Sequence, residues 1–440
     1  MIPIAKALKI IKQQVIKPLI QTVDLADVCG RVLAEEICAD MDLPPFDRSQ
    51  MDGFAVKTED TKFVPVKLKI VGESAAGKGF DGKIKHGEAI RIMTGARLPI
   101  GADAVQKVEL TKESRGFVTI LESAKEKQNI IKCAEEISKG ERIFEKGETV
   151  TENMIAPLAA FGYAKVKVYQ KPEVVILATG SEIVDISQKP KQDQIRNSNS
   201  WAIKFLAEKC GAKVEILPMV KDDLENLKTL IAEAVGLRFK IQDSRFKIQD
   251  SRFKIQDSRF KIQDSRFKIQ SRQSKIQNLK SKILIISGGV SVGDYDFTKS
   301  ALRELGAEIF FEKVSLRPGK PTVFAKLNET LIFGLPGNPV SVAVTFHLFV
   351  RKAILQMQGA KNSDLQKGFA VLSAKIKGAK GRDSFLPAFV ETNKEGKLIV
   401  ESLRFSSSSN FIAYSRANAL VVVPKDNTLE AGEIADIVFL

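Results

Sequence analysis

The chain has 440 residues, 44% of them hydrophobic and 28% charged, which is long enough for several cores and ordinary for a soluble globular protein. Its formal charge of +15 suggests a nucleic acid or an anionic surface, yet residues 238–282 alone carry +10, with 14 Lys/Arg against 4 Asp. The remaining +5 suits a small anionic ligand as well as a polynucleotide, and no apolar run approaches a membrane span.

The first residues, "MIPIAKALKIIKQQV", place lysines at 6, 9 and 12 within an apolar stretch. That spacing breaks a signal-peptide core and predicts an amphipathic helix, so a cytoplasmic location is expected. "VDLADVCGRVLAEEICADMDL" predicts a strand–helix–strand passage, and the prolines of "PPFDRSQMDGFAV" then forbid helix. From 61 to about 145, short β runs split by glycines predict a β-rich domain, followed by a helix around 151–162 and the strand "KVKVYQ". After Pro172 the texture changes. "EVVILATGSE" reads as a buried strand, "NSWAIKFLAEKCG" as a helix, "KVEILPMV" as a strand, and "DDLENLKTLIAEAV" as a helix opened by Asp222 and Asp223. "KILIISGGVSVG", "DFTKSALRELG", "AEIFFEKVSL", "TVFAKL" and "TLIFGLPGNPVSVAVTFHLFVRKAIL" continue the alternation. It predicts a three-layer α/β domain with a mainly parallel sheet, and β runs from about 360 predict a small C-terminal β domain. The expected fold is multidomain α/β plus β. A mixed N-terminal linker domain takes 1–43 with 146–171, a β-rich domain 44–145, the α/β domain 172–358 and the C-terminal β domain 359–440.

Residues 239–266 are four perfect copies of FKIQDSR, in a helix-to-strand connection that usually takes about 2–6 residues. Phe and Ile two apart make opposed stripes on a helix, and an odd period of seven alternates faces on a strand. Neither gives one apolar face, so the insertion 238–282 is expected to be a disordered loop; a transient helix or a basic nucleic-acid tether is the competing reading.

The cysteines, Cys29, Cys38, Cys133 and Cys210, are scattered without a CxxC, which predicts buried reduced thiols rather than disulfides or a zinc site. His347, in an apolar run, is expected to be a satisfied core residue, and His86 a turn residue. Carboxylates, Lys, Arg and backbone amides are therefore left to carry the chemistry. "IISGGVSVGDYDFTKS" runs a strand into Gly288, Gly289, Ser291 and Gly293 before a helix opening at Asp296, a turn suited to phosphate. Asp294 and Asp296 could hold Mg²⁺ against phosphate oxygens; the bland reading is a tight turn with a capping aspartate. "LPGNPVS" offers Gly337 for close approach, Asn338 as a cap and the Ser341 hydroxyl for an anion. Lys313, Arg317 and Lys320 lie between these turns, and Glu182, Asp222, Asp223 and "SNS" at 198–200 complete the same rim. Turns at the carboxyl ends of strands converge on one crevice, which makes a phosphate-type site, with a solvated basic edge as the alternative.

Read together, "PPFDRSQMDGFAV", "RIMTGARLPIGADAVQKVE", "ILATGSEIV", "NSNSWAIKFLAEKCGAKV", "SGGVSVGDYDFTK", "LRPGKPTVF" and "GLPGNPVS" resemble, in that order, the molybdopterin molybdenumtransferases, the MoeA and gephyrin E-domain family. The resemblance spans essentially the whole chain apart from the repeat. It implies an elongated homodimer whose α/β domain binds the pterin and whose cleft is completed by the partner's β-rich domain. The implied reaction takes adenylylated molybdopterin and molybdate, cleaves the phosphoanhydride with Mg²⁺, and leaves molybdenum on the dithiolene sulfurs with AMP released. By motif, Asp52, Thr94 and Glu136 would come from the partner's side, while Glu182, Asp223, Asp296, Lys313 and Arg317 line the crevice. Glu182, Asp294 and Asp296 are the implied metal ligands. Arg317 stands where a lysine is common, which keeps the charge and changes the geometry. Lys320, Ser341, Arg382 and Ser408 or Ser409 are the implied molybdate contacts. The molybdopterin adenylyltransferase is expected as a partner; the hydropathy argues against a membrane and the residual charge weakens the case for nucleic acid. Two alternatives compete: that adenylyltransferase activity itself, and a dimeric scaffold whose basic repeat tethers nucleic acid.

Overall fold

The computed structural model describes residues 1–16, 18–220, 223–237, 282–289, 297–403 and 410–440. The expectations for the FKIQDSR repeat, Asp222, Ser291, Gly293, Asp294, Asp296, Ser408 and Ser409 fall outside these residues.

Helix α1 (Ile4–Gln14) buries Ala7 and Ile11, the stripe its lysine spacing leaves apolar. That stripe joins the core of the α/β unit with Val174, Ile203 and Phe349, rather than the segment that follows it in sequence. The next passage contains no α-helix. Ile20–Asp24 is a strand, Leu25–Asp27 a single 3₁₀ turn and Ile37–Cys38 a short strand. Gly30 at φ +73° and the β-branched Val28 and Val32 oppose helix over this stretch. The Ile20–Asp24 strand pairs antiparallel with Lys165–Tyr169, and Val28, Leu33 and Ile37 share a core with Leu158 of helix α2 (Ile155–Ala160).

Residues 53–120 form a six-stranded sheet in the order Ala104–Lys107, Gly53–Val56, Glu88–Ile92, Val66–Ser74, Phe117–Ile120, Thr111–Ser114. Another six-stranded sheet carries the α/β unit. Its strands are β1 (Glu173–Ala178), β2 (Lys213–Ile216), β3 (Ile283–Ser287), β4 (Glu308–Phe311), β5 (Val323–Leu327) and β6 (Thr330–Leu335), in the order β2-β1-β3-β6-β5-β4. The first four strands in that order run parallel; β5 and β4 close the edge antiparallel. The near-continuous apolar runs of β1, β3 and β6 are buried throughout, as a sheet covered on both faces requires. Helices α3 (Ser198–Lys209) and α6 (Pro339–Met357) pack on one face, and α4 (Leu224–Ala234) and α5 (Phe297–Glu304) on the other. Leu316, read from sequence as the end of a strand in this sheet, instead forms with Arg317 a short strand that pairs with Asp383–Thr392 of the C-terminal β sheet.

Among the described residues α6 is long and apolar enough to cross a membrane, but 72% of it is buried inside the molecule, which makes it a core helix. It contains a π turn at Phe346–Val350. His347 lies there, 8% exposed, and its Nδ1 has no hydrogen-bond partner among the described residues, so the expectation of a satisfied core histidine holds for its burial but not for Nδ1. Burial, then the neighbouring Arg351 and Lys209 charges, push its pKa down to about 4. The unfolded chain therefore takes up a proton near pH 6.5 that the folded chain refuses until about pH 4. Stability is expected to fall by about 3 kcal/mol as pH drops through that window. His347→Leu should flatten this part of the urea-midpoint profile; an unchanged slope would assign it to other groups.

The thiols are free, but none is fully buried: Cys29 and Cys133 are exposed, and Cys38 and Cys210 half-buried. The buried positions expected for them go to larger apolar side chains such as Leu33 and Ile37 beside Cys38.

Candidate functional site

Three strand ends meet in register. Ala178 of β1 lies beside Ser287 of β3, and Ser287 beside Leu335 of β6, so the turns that follow open on one edge of the sheet. In the order β2-β1-β3 the chain reverses direction across the sheet, the position where an open α/β sheet forms its crevice. A cleft of about 960 Å³ opens there. It is lined by Thr179, Gly180 and Glu182 after β1, by Ser287, Gly288 and Gly289 at β3, and by Pro336, Gly337 and Asn338 after β6.

The turns are tight. Thr179 N donates to Ser287 O at 3.1 Å and Gly288 N to Leu335 O at 3.2 Å. Gly288 has φ +95°, and a Cβ there would lie 2.3 Å from the Thr179 carbonyl oxygen, so this position requires glycine. At Gly337 a Cβ would meet nothing within 4 Å, which leaves its backbone open to the cleft.

Two helices begin at the cleft. Asn197 caps α3, accepting from Ser200 N at 3.1 Å, and Ser198 and Asn199 of its first turn line the wall. Asn338 is the residue before α6 and Pro339 its first, as expected, although Asn338 makes no side-chain cap. Converging helix N-termini favour a bound anion through their unpaired amides and dipoles.

The described cleft walls carry two charged side chains, Glu182 and Arg196; Arg196 Nε donates to Gln188 O at 3.0 Å. Among the described residues no cluster of three or more His, Cys, Asp or Glu side chains could hold a metal. A lone wall carboxylate still fits Mg²⁺, which takes one or two carboxylates and completes its shell with phosphate oxygens and water.

Of the residues read from sequence, Glu182, Ser198, Asn199, Gly288, Gly289, Gly337 and Asn338 line this cleft, while Ser200 is buried behind it. Asp223 does not line it; it caps α4, accepting from Glu225 N at 2.9 Å and from Asn226 Nδ2 at 3.0 Å. Lys313, Arg317, Lys320 and Arg382 lie outside the lining. The pairing of Leu316–Arg317 with Asp383 and Ser384 nonetheless brings Arg317 beside the Arg382 loop, with Ser315 Oγ donating to Gly381 O at 2.8 Å. Ser341 is 4% exposed, within α6, so its hydroxyl does not reach the cleft surface.

Asp52 and Thr94 are together but on the β-rich sheet. The Thr94 amide and hydroxyl donate to Asp52 Oδ1 at 2.6 and 2.7 Å and hold that carboxyl below its ordinary range. Glu136 accepts from Arg48 Nη2 at 3.3 Å. None of these three lines the cleft of its own chain.

Arg196, Pro190, Ile195 and Phe411 also line the cleft and were not read from sequence. Ile195 and Arg196 belong to a two-residue strand pair, Pro190 to the loop between its strands and Phe411 to a four-residue helix, none of which carries a periodicity that would have marked it.

The sequence matches three family descriptions in order: MoeA N-terminal region (domain I and II) over residues 2–162, probable molybdopterin binding domain over 258–356, and MoeA C-terminal region (domain IV) over 370–440. A molybdopterin molybdenumtransferase from Staphylococcus aureus strain MSSA476 is 33% identical over 443 aligned positions, covering 99% of this chain and 95% of that one. One from Staphylococcus epidermidis strain RP62A is 31% identical, with coverage of 99% and 95%. The crystal structure of a molybdopterin biosynthesis MoeA protein from Pyrococcus horikoshii superposes with a TM-score of 0.76 at 30% identity, covering 100% of this chain and 99% of that one. With its strand-end cleft and this likeness along its whole length, the chain belongs to the MoeA family of molybdopterin molybdenumtransferases, enzymes of molybdenum cofactor biosynthesis.

Proposed function

We propose that this enzyme inserts molybdenum from molybdate into adenylylated molybdopterin and releases AMP in a Mg²⁺-dependent step. The observation that carries the reading is the cleft itself, where three in-register strand ends and the N-termini of α3 and α6 converge. Amide-rich turns hold the phosphoanhydride oxygens without net charge, so an already anionic substrate is not repelled. Glu182, with Asp294 and Asp296 as the sequence motif implies, would hold the metal. Mg²⁺ supplies charge neutralisation on the phosphate oxygens when bound. Arg317, Lys320 and Arg382 offer donors for a tetrahedral dianion such as molybdate, a role shared in this proposal with Ser408 or Ser409. Lys313 extends the same cationic flank; Asp223 would act by fixing the start of α4 rather than by touching substrate.

The proposal includes a homodimer. Asp52, Thr94 and Glu136 are exposed and lie away from the cleft of their own chain, which supports their supply to a partner's cleft. The four-part division at 43, 145, 171 and 358 and the adenylyltransferase as upstream partner belong to the same reading.

The test is AMP release from adenylylated molybdopterin, with and without molybdate, comparing wild type with Asp296→Ala. Molybdate-stimulated release that the variant loses is expected; equal release in both would remove Asp296 from the site. Formation of the adenylylated pterin from molybdopterin and ATP alone would favour the adenylyltransferase reading instead.

The repeat is expected to be dispensable. Strand β3, which follows it, is paired on both sides by β1 and β6, and its five residues are fully buried. Replacing 238–281 by about five Gly/Ser residues, a usual length for such a connection, should leave AMP release within about twofold of wild type, since the linker lies upstream of the cradle. A larger loss would give the repeat a part in catalysis. Loss only of a salt-sensitive association would favour the tether.

A further inference from the structure

We propose that Asn199 is a positioning residue that fixes the spacing between the two glycine turns of the cleft. Its Nδ2 donates to Gly337 O at 2.7 Å and to Ser287 Oγ at 3.2 Å. Gly337 belongs to the turn after β6, and Ser287 is the last residue of β3 before Gly288. One carboxamide thus ties together the two turns that cradle the substrate.

The amide orientation follows from chemistry. A carbonyl oxygen only accepts, so the atom facing Gly337 must be the nitrogen, and its second hydrogen is then free for Ser287. A primary amide is among the few side chains able to donate two such bonds from one planar atom. The tie is also stiffly mounted. Asn199 sits in the first turn of α3, whose cap is made by Asn197, so Asn199 is not needed to start the helix. Backbone bonds hold the strand ends below the tie, with Gly288 N on Leu335 O at 3.2 Å, but among the described residues none of them reaches Gly337. Without Asn199 the Gly337 turn is expected to move relative to the Gly288 turn while the sheet stays intact.

This inference rests on the proposed substrate spanning both turns, and its test separates the two ideas. Asn199→Ala should raise KM for adenylylated molybdopterin about tenfold, the scale of two modest hydrogen bonds, with kcat changed less than threefold and the melting temperature unchanged. Ser287→Ala should show part of that effect, and the double variant should be no worse than Asn199→Ala alone. Asn199→Asp keeps the shape but sets a carboxylate against the Gly337 carbonyl, so it should not restore KM. A wild-type KM in Asn199→Asp, or full additivity of the Ala variants, would overturn the role. The resting protein gives a readout that needs no substrate. Amide exchange at 286–289 and 335–338 should quicken together in Asn199→Ala, and unchanged exchange would sink the idea even if wild type released no AMP. Absence of AMP release from wild type would instead overturn the proposed substrate.

Discussion

Gly288→Ala is expected to cut molybdate-dependent AMP release by at least about 100-fold. Two costs combine at this position. With φ at +95°, an L side chain is strained by roughly 1–2 kcal/mol, and the new Cβ would stand 2.3 Å from the Thr179 carbonyl oxygen. That carbonyl belongs to backbone, which cannot rotate aside as a side chain could. The ends of β1 and β3 must part by about 1 Å to reach ordinary contact, and a displacement on that order costs about 10²-fold when it misplaces a reacting group. Gly432→Ala is the matched control, because Gly432 has φ +86° and nothing within 4 Å of a Cβ. It should lose a little stability and no activity. If Gly288→Ala turned over like wild type, the Gly288 turn would not be the cradle.

Glu182→Gln should have an effect of similar size by another route. Glu182 is one of two charged side chains on the described cleft walls and the carboxylate of the pair. The substitution keeps size and one carbonyl acceptor while replacing the other oxygen by an NH₂ donor and removing the negative charge, so a loss reports on charge and metal ligation rather than packing. Neutralising phosphoryl oxygens through a bound metal contributes several kcal/mol, so AMP release should fall about 100-fold, with the Mg²⁺ concentration for half-maximal activity rising. Unchanged Mg²⁺ dependence would move the metal away from Glu182. Melting temperature should not change, because Glu182 is exposed and makes no ion pair among the described residues.

Both variants act on positions that could be read before any coordinates. Strand–turn–helix passages were legible because buried parallel strands are short unbroken apolar runs and the turns after them contain glycine, proline or asparagine. β1, β3, β6 and the cleft residues Glu182, Gly288, Gly289, Gly337 and Asn338 came from that grammar. The amphipathic α1 was legible for the same reason, since a 3.6-residue period is a local property. Local rules conflicted elsewhere: Gly30 and the surrounding valines kept residues 28–36 out of helix, leaving only the 3₁₀ turn Leu25–Asp27, despite an apolar pattern compatible with an α-helix. The thiols depart from the buried expectation for particular reasons: alternation along a short strand gives the buried side to Ile37 rather than Cys38, and Cys133 lies in a polar turn against Asp42 and Asp47.

The sequence by itself determined the α/β alternation of the central unit, the glycine-containing turns that follow its strands, and a formal charge that falls to +5 once 238–282 is set apart. Only the tertiary structure decided which turns share a cleft, because that depends on strand order and register. Ala178, Ser287 and Leu335 are aligned by hydrogen bonds between strands more than 40 residues apart in the chain, and no local pattern encodes that alignment. The same holds for Asn199, whose carboxamide joins turns 88 and 138 residues away. It holds as well for Leu316–Arg317, drawn out of the α/β sheet by backbone pairing with Asp383 and Ser384. Residue type and spacing fix what a segment can bind; long-range pairing fixes which segments bind together.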